Sequence, residues 1–224
     1  MTGAVVDSCV IGVFARAPVP GQAKTRLVPH LGADAAARLY GRMVRHAIMT
    51  ARASGRGPIE LWCTPSESHP FFQTLAPEFG LRLRTQCDGD LGERMADAFR
   101  VMLGHAPAAI LIGTDCPVRT AQDLTEAREA LAHGCDAVLG PTEDGGYHLV
   151  ALRRHEPRLF AGVSWSTDRV LDQTRSRLSA LGWRWHELPE RWDVDRPEDL
   201  DRLLADPALA PLVADPRPGA VAAS

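Results

Sequence analysis

Between Cys9 and Leu204 the sequence alternates short apolar runs with longer stretches of helical periodicity, and this alternation constrains the fold more than any single residue does. Runs of about four to eight residues bounded by turn residues read as strands buried on both faces, the situation of strands in a helix-covered parallel sheet. They occupy residues 9–15 (CVIGVFA), 59–63, 81–86, 108–113, 136–139, 146–152 and 183–188. Helical periodicity covers residues 33–54, 91–104, 120–133, 168–181 and 197–204. Strand and helix in turn call for crossover connections, hence an α/β three-layer sandwich with a mostly parallel sheet and helices on both faces. The chain has 224 residues, 45% of them hydrophobic, enough for one sizeable core and too few for a second full domain. Residues 1–204 are expected to form that domain, with no repeat and no linker, and residues 205–224, rich in Ala, Pro and Asp, to form a flexible tail.

A formal charge of -3 supplies no global basic field, which argues against nucleic acid and anionic membrane as partners and leaves any phosphate binding to a local cluster. No apolar stretch approaches the roughly 20 residues a membrane span needs, and no basic segment precedes the first apolar run, so the expected location is the cytoplasm. Cys9, Cys63, Cys87, Cys116 and Cys135 are odd in number and never spaced as Cys-x-x-Cys, the pattern of reduced, packed thiols rather than of a disulfide framework or zinc site.

Ligands of open α/β sheets lie beyond the carboxyl ends of the strands, so residues just after each strand are the first candidates for a site. After the first strand comes Arg16-Ala-Pro-Val-Pro-Gly21-Gln-Ala-Lys24-Thr25-Arg26, three cations in eleven residues. Arg16, Lys24 and Arg26 there suit a polyphosphate, Lys as a point charge and Arg as a bidentate fork. The fragment is not an ATPase P-loop, because Gly does not directly precede Lys24 and the upstream Gly is missing. The run at 109–112 ends in Gly113-Thr114-Asp115, a carboxylate suited to a hard divalent ion whose remaining ligands are phosphate and water. An N-cap role falls better to Thr120 or Asp123, near the next helix start. Cys116 beside it has no activating neighbour and reads as packing.

In Thr142-Glu143-Asp144-Gly145-Gly146-Tyr147-His148, the paired glycines permit close backbone approach and Asp144 can reach an acceptor hydroxyl, although an ordinary Asp-Gly turn explains the segment equally well. His148 reads as structural. In Arg191-Trp-Asp193-Val-Asp195-Arg-Pro197, alternation puts Asp193 and Asp195 on one side, and either can supply a second carboxylate toward a metal. Trp165 offers a flat face to an acceptor or packs in the core, and Ser166 or Thr167 reads as the cap of the following helix.

Taken together, FARAPVPGQAKTRL, LGERM, LIGTDCP, GPTEDGGYHLVAL, GVSWSTDRVL and WDVDRPEDL resemble the bacterial rSAM/selenodomain-associated transferase 1 family, within the nucleotide-diphospho-sugar transferase (GT-A fold) superfamily. The similarity runs from about Val10 to Leu204. It implies a single-domain GT-A-like Rossmannoid fold, donor phosphates on Arg16, Lys24 and Arg26, and Mg²⁺ or Mn²⁺ on Asp115 completed by Asp195. The chain departs from two superfamily patterns: a single carboxylate stands where many glycosyltransferases carry Asp-x-Asp, and the first loop is not glycine-rich.

Three functions are compatible with this pattern. In nucleotidyl transfer, a phosphate- or phosphonate-bearing acceptor attacks the α-phosphorus of a nucleoside triphosphate and pyrophosphate leaves. Lys24, Arg26 and Asp115 are then the catalytic set, with Asp144, Gly145, Gly146 and Trp165 on the acceptor side. In glycosyl transfer from a nucleotide sugar, Asp144 or Glu143 would add a base. A non-catalytic nucleotide-binding protein is the third. The cation loop favours the first. The partners expected are thus a nucleotide donor and a small acceptor.

Overall fold

The computed structural model describes residues 9–55 and 57–213. Seven strands form one sheet: β1 (Val10–Arg16), β2 (Ile59–Thr64), β3 (Arg82–Thr85), β4 (Ala109–Ile112), β5 (Ala137–Pro141), β6 (Tyr147–Leu152) and β7 (Trp185–Glu187). Their order is β3-β2-β1-β4-β6-β5-β7, parallel throughout except that β6 runs against both β4 and β5. The chain is therefore mixed α/β with a mostly parallel sheet. Because β6 is reversed, its first residues stand at the same rim as the last residues of β1, β2, β3 and β4.

Side chains of β1 alternate as a strand covered on both faces requires. Ile11, Val13 and Ala15 enter one apolar cluster with α2 (Ala33–Ala53), α3 (Pro70–Phe79) and α5 (Ala121–Ala132). Val10 and Phe14 enter the other, with α4 (Leu91–Leu103) and α6 (Val170–Ala180). The intervening position is Gly12 because α4 lies close: a Cβ there would stand 2.9 Å from Leu111 Cδ1 and from Met102 Sδ. Before α2 come a 3-10 turn at Thr25–Leu27 and one turn of helix, α1 (Val28–Leu31). A third cluster joins Leu27, Leu39 and Met43 to Val194 and to Leu200 and Leu203 of α7 (Pro197–Ala205), which fastens the 193–195 segment against the first loop.

Helix α3 lies where the sequence pattern gave no element. Pro77 interrupts the helical pattern of the sequence, yet it sits in the last turn, while Pro70 starts the helix and buried Phe72 and Leu75 hold it. Thr120 caps α5 through a reciprocal box with Asp123, as its position suggests. The cap expected of Ser166 or Thr167 is not formed: α6 begins at Val170 after Arg169, which makes no side-chain cap bond. The flexible tail expected from Ala205 also differs in its first part. Leu209 is buried, α8 spans Ala210–Val213, and Arg42 Nε donates to Leu212 O at 2.5 Å. Residues 214–224 of that expected tail lie outside the described residues. No helix among the described residues is long and apolar enough to cross a membrane.

Candidate active site

Lys24 is the centre of the site. It follows Gly21 (φ +74) and itself takes a left-handed conformation, φ 49 and ψ 46, which turns its side chain inward. Its Nζ stands 2.5 Å from Asp115 Oδ1 and 2.8 Å from Asp195 Oδ1, and donates to Val194 O at 2.6 Å. All three ammonium donors are thereby engaged. The side chain is 5% exposed. Burial works against the charged ammonium, but the attraction of Asp115 and Asp195 outweighs it and raises the pKa above the ordinary lysine value. Burial likewise opposes the charge of Asp195, and Lys24 and Arg26 overcome it, so this carboxyl lies below its usual range. Arg26 Nη1 is 3.3 Å from Asp195 Oδ2. Val194 N donates to Asp115 O at 2.8 Å, which locks the 193–195 segment onto the end of β4.

Asp193 is the contrast. It is largely buried, and its Oδ1 has no hydrogen-bond partner among the described residues. Burial first, then the charges of Asp115 and Asp144, push its pKa up to about 7 against the pull of Lys24. A buried carboxylate oxygen without a donor is a costly arrangement unless a cation or a proton completes it. Among the described residues no group of three or more His, Cys, Asp or Glu is gathered as a metal site. An ion of the Mg²⁺ type needs only one or two carboxylates when phosphates and water supply the rest.

The frame around these charges is hydrogen-bonded. Tyr40 of α2 takes Arg16 N–H and the Thr114 hydroxyl on its phenol oxygen, each at 3.0 Å, and so ties the end of β1 to the end of β4. Buried Arg119 donates to Gly113 O at 2.9 Å and His148 O at 3.1 Å, fixing β4 to the start of β6. Arg191 pairs with Asp123 at 2.7 Å and anchors the other end of the 191–195 segment. His148 is buried with both ring nitrogens unpartnered among the described residues, and burial lowers its pKa to about 3, so it stays neutral. The Cys116 thiol is pushed up to about 12 by burial and is not a nucleophile.

Two adjoining cavities share Arg16, Tyr40 and Asp115. One, of about 520 Å³, is lined by Gln22, Lys24, Thr25, Arg26, Ser166 and Asp195. The other, of about 320 Å³, runs from Thr64, Gln86 and Arg94 to Tyr147, His148 and Asp193. Arg16 and Arg26 are exposed at the rim. On the expected acceptor side the picture differs. Asp144 Oδ1 accepts from Thr142 Oγ1 at 2.6 Å and Gly146 N at 3.1 Å, so it stabilises its own turn, although its charge reaches Asp193. Gly145 (φ +82) packs against the Asp168 carbonyl, where a Cβ has no room. Trp165 stands edge-on to Tyr147, ring centroids 6.5 Å apart, and is not among the residues lining either cavity. Tyr40, Gln86 and Arg94 carry site positions that the sequence pattern did not single out.

The family model described as "Uncharacterized protein conserved in bacteria (DUF2064)" matches residues 47–167. A phosphoenolpyruvate guanylyltransferase of Chloroflexus aggregans (strain MD-66 / DSM 9485) is 30% identical over 165 residues, 70% of this chain and 80% of that protein. Among solved structures, one described as a nucleotide-diphospho-sugar transferase from Desulfovibrio desulfuricans G20 superposes with a TM-score of 0.76 at 27% identity, covering 84% of this chain and 82% of that one. CMP:2-keto-3-deoxy-manno-octonic acid synthetase complexed with CTP shares the fold at a TM-score of 0.57 and 15% identity, covering 88% and 97%. Glucosyl-3-phosphoglycerate synthase from Mycobacterium tuberculosis, solved with Mn²⁺ and UDP, does so at 0.54 and 10%, covering 92% and 80%. The sequence relative and the fold neighbours are thus nucleotidyltransferases or glycosyltransferases, and some bind Mn²⁺. With more than half its length matched by one family model, this chain belongs to the bacterial DUF2064 family and has the nucleotide-diphospho-sugar transferase fold.

Proposed function

We propose that this chain is a divalent-metal-dependent nucleotidyltransferase that moves a nucleoside monophosphate from a nucleoside triphosphate to a small acceptor carrying phosphate or phosphonate. The observation that carries the reading is a cation-lined cavity adjoining a second one lined by Asp193, whose buried Oδ1 has no hydrogen-bond partner among the described residues. In the reaction an acceptor oxygen forms a bond to the α-phosphorus, the bond from that phosphorus to the bridging oxygen breaks, and pyrophosphate departs. An acceptor that is already ionised needs no general base, and Glu143 and Asp144 are both engaged elsewhere, Glu143 by Arg202 at 2.8 and 2.9 Å.

Asp115 and Asp193 are the carboxylates best suited to Mg²⁺ or Mn²⁺. Asp195, expected from the resemblance, has both oxygens engaged, Oδ1 by Lys24 and Oδ2 by Arg26, whereas Asp115 meets Lys24 through Oδ1. A bound divalent ion would supply charge neutralisation on the phosphates as the leaving group forms. Arg16 and Arg26 take the outer phosphates as bidentate partners. With its three donors engaged, Lys24 first acts as a positioning residue, holding Asp115 and Asp195 apart at fixed geometry. It reaches a donor phosphate only by releasing one of them.

Glycosyl transfer is the second reading. It is supported by the likeness to a nucleotide-diphospho-sugar transferase and by the pKa of Asp193 near 7, a value that suits proton removal from an acceptor hydroxyl. Incubating the protein with Mg²⁺ or Mn²⁺ and phosphoenolpyruvate, with each of the four common nucleoside triphosphates and in parallel with the common nucleotide sugars, separates the two. Pyrophosphate release and a nucleotidylated acceptor support the first reading. Nucleoside diphosphate release from a nucleotide sugar, with no pyrophosphate from any triphosphate, overturns it. The cytoplasm remains the proposed location, residues 1–204 the proposed domain, and Asp144, Gly145, Gly146 and Trp165 the proposed acceptor side, acting through the neighbouring Tyr147, which lines the smaller cavity, rather than by free side-chain groups.

A further inference from the structure

Lys24 is the only lysine among the 25 lysine and arginine residues of the chain, and the loop that carries it uses arginine on either side, at Arg16 and Arg26. The site explains the exception. Asp115 Oδ1 at 2.5 Å, Asp195 Oδ1 at 2.8 Å and Val194 O at 2.6 Å all converge on one atom, Nζ. An ammonium carries three donors on a single nitrogen and fits three such acceptors, whereas a guanidinium spreads its donors along a planar fork. The backbone is bent to the same end, since Lys24 holds a left-handed φ of 49 that a residue with a Cβ adopts only at an energetic cost.

Asp115 is thereby claimed twice. Its Oδ1 already meets the ammonium, and the same side chain is one of the two best suited to a divalent ion under the proposed function. Two cations on one carboxylate repel each other, most strongly where protein displaces water, and the Lys24 side chain is 5% exposed. Asp193 offers no way round, because it lines a cavity together with Asp115, so an ion held by both still shares a carboxylate with the ammonium. The conflict lifts when an anion joins the site. Lys24 lines the larger cavity with Arg16, Thr25 and Arg26, and a phosphate oxygen there gives the ammonium an acceptor in exchange for Asp115.

We infer that Lys24 is a resident counter-ion that keeps Asp115 closed to a divalent ion until a donor phosphate draws the ammonium away. The inference rests on the nucleotide-donor reading and adds an order of events to it. In the donor-free protein Lys24 neutralises Asp115 and Asp195. With a triphosphate in the larger cavity, the ammonium trades its Asp115 contact for a phosphate oxygen and keeps Asp195 and Val194 O, so the loop stays fastened to the 193–195 segment. Asp115 then has both oxygens to offer. The sign of the effect separates this role from a purely structural one. If holding Asp115 in place were the larger contribution of Lys24, its removal would weaken metal binding. Loss of a counter-ion instead leaves Asp115 and Asp195 with charge that holds a divalent ion better.

The test is made on the full chain. Isothermal titration with Mn²⁺ alone compares the unsubstituted protein with Lys24→Met, and the expected result is binding at least tenfold tighter in the variant, within the range of about 5- to 150-fold usual for coupled sites. Because the chain has one lysine, protein grown on lysine labelled with ¹³C at Cε gives a single lysine side-chain NMR signal, that of Lys24. That signal should stay in place when Mg²⁺ is added alone and move when Mg²⁺ and inorganic tripolyphosphate are added together. Equal or weaker Mn²⁺ binding by a folded Lys24→Met, a lysine signal that moves with Mg²⁺ alone, or one that stays in place once titration shows tripolyphosphate to be bound each overturns the counter-ion role and leaves the nucleotide-donor reading standing. Failure of tripolyphosphate and of the four common nucleoside triphosphates to bind in the presence of Mg²⁺ removes that reading instead, and the counter-ion role with it. The lysine signal is read on the unsubstituted protein and decides the matter if Lys24→Met does not fold.

Discussion

Replacing Lys24 by Ala takes one ammonium out of the site and leaves Asp115 without its ion-pair partner and Asp195 with the weaker contact to Arg26 at 3.3 Å. The interactions lost are two ion-paired hydrogen bonds, 2.5 and 2.8 Å, and one to the Val194 carbonyl, 2.6 Å. Removing one member of a fully buried pair costs about 3–5 kcal/mol. Here the carboxylate side chains keep 47% and 41% of their exposure, so water can rehydrate them and the cost falls to about 1–2 kcal/mol. The unpaired carbonyl adds about 1 kcal/mol. A total of about 2–3 kcal/mol corresponds to a melting temperature lowered by about 5–10 °C in a domain of this size. The deficit has a pH window. The depressed pKa of Asp195 gives stability that is present above the unfolded carboxylate value of about 4 and is lost as pH falls through the folded value. The raised pKa of Lys24 gives stability that is full below about 10.4 and is lost as pH rises through the higher folded value. The gap between the two proteins is therefore widest at about pH 5–9 and closes below about pH 4. Thermal unfolding followed by circular dichroism without divalent ions reads it. Lys24→Gly supplies an internal control, since it loses the same bridge but relieves the left-handed backbone, φ 49, by about 1 kcal/mol, and should melt above the Ala variant. A Lys24→Ala protein that melts within 1 °C of the parent at about pH 7, or shows the same deficit at pH 3, refutes the bridge.

Asp193→Asn inverts the pH argument. With a folded pKa of about 7, raised above its unfolded value, this carboxyl gives stability that is full below about pH 4 and lost as pH rises through 7. The parent without divalent ion should lose on the order of 2–4 kcal/mol across that range, and the Asn variant should lack the slope and melt higher at pH 8; identical slopes sink the assignment. Asp115→Ala should abolish metal-dependent turnover while circular dichroism shows an intact fold, and retained activity would mean that the metal is held elsewhere. Tyr40→Phe leaves the Thr114 hydroxyl and Arg16 N–H without their acceptor. It should lower stability by about 1–3 kcal/mol and raise the donor KM more than it lowers kcat, and an unchanged melting temperature would show that water replaces the phenol.

The layer architecture was legible because it depends on periodicity: strands buried on both faces read as unbroken apolar runs, and six of the seven are parallel. The reversal of β6 was not legible, since GYHLVAL is equally apolar in either direction. The rim residues Lys24, Arg26, Asp115 and Asp195 were legible from the rule that ligands gather beyond the strand ends, and the fold does bring them together. What composition could not convey was which charges cancel. Lys24 reads as a free cation in the loop, yet it is the most buried member of the cluster; Asp193 and Asp195 are two residues apart, yet one is neutralised and the other has an unpartnered oxygen. Such differences arise from contacts between segments about 170 residues apart, which no local pattern records. Gln86 and Arg94 were missed for a similar reason. Arg94 lies in LGERM and Gln86 ends a strand run, but neither pattern assigns a role, and what sets them apart is a hydrogen bond made by the first and, among the described residues, the absence of one at the second.

The donor-free site is thus built with an internal conflict. Asp115, Asp144 and Asp195 all act on Asp193, and Lys24, the cation that opposes them most strongly there, has no donor left to give. A protein without ligand carries that repulsion as lost stability above about pH 7. A divalent ion arriving with a triphosphate removes it, so part of the binding free energy appears as relief of strain already present in the fold. The thermal stabilisation by metal and donor together should therefore grow as pH rises from 5 to 8 in the parent. It should be independent of pH over that range in Asp193→Asn, because the Asn side chain has no charge to relieve. A stabilisation that is the same at both pH values in the parent would mean that Asp193 never becomes charged in the folded protein, and that it serves the site as a neutral hydrogen-bonding group.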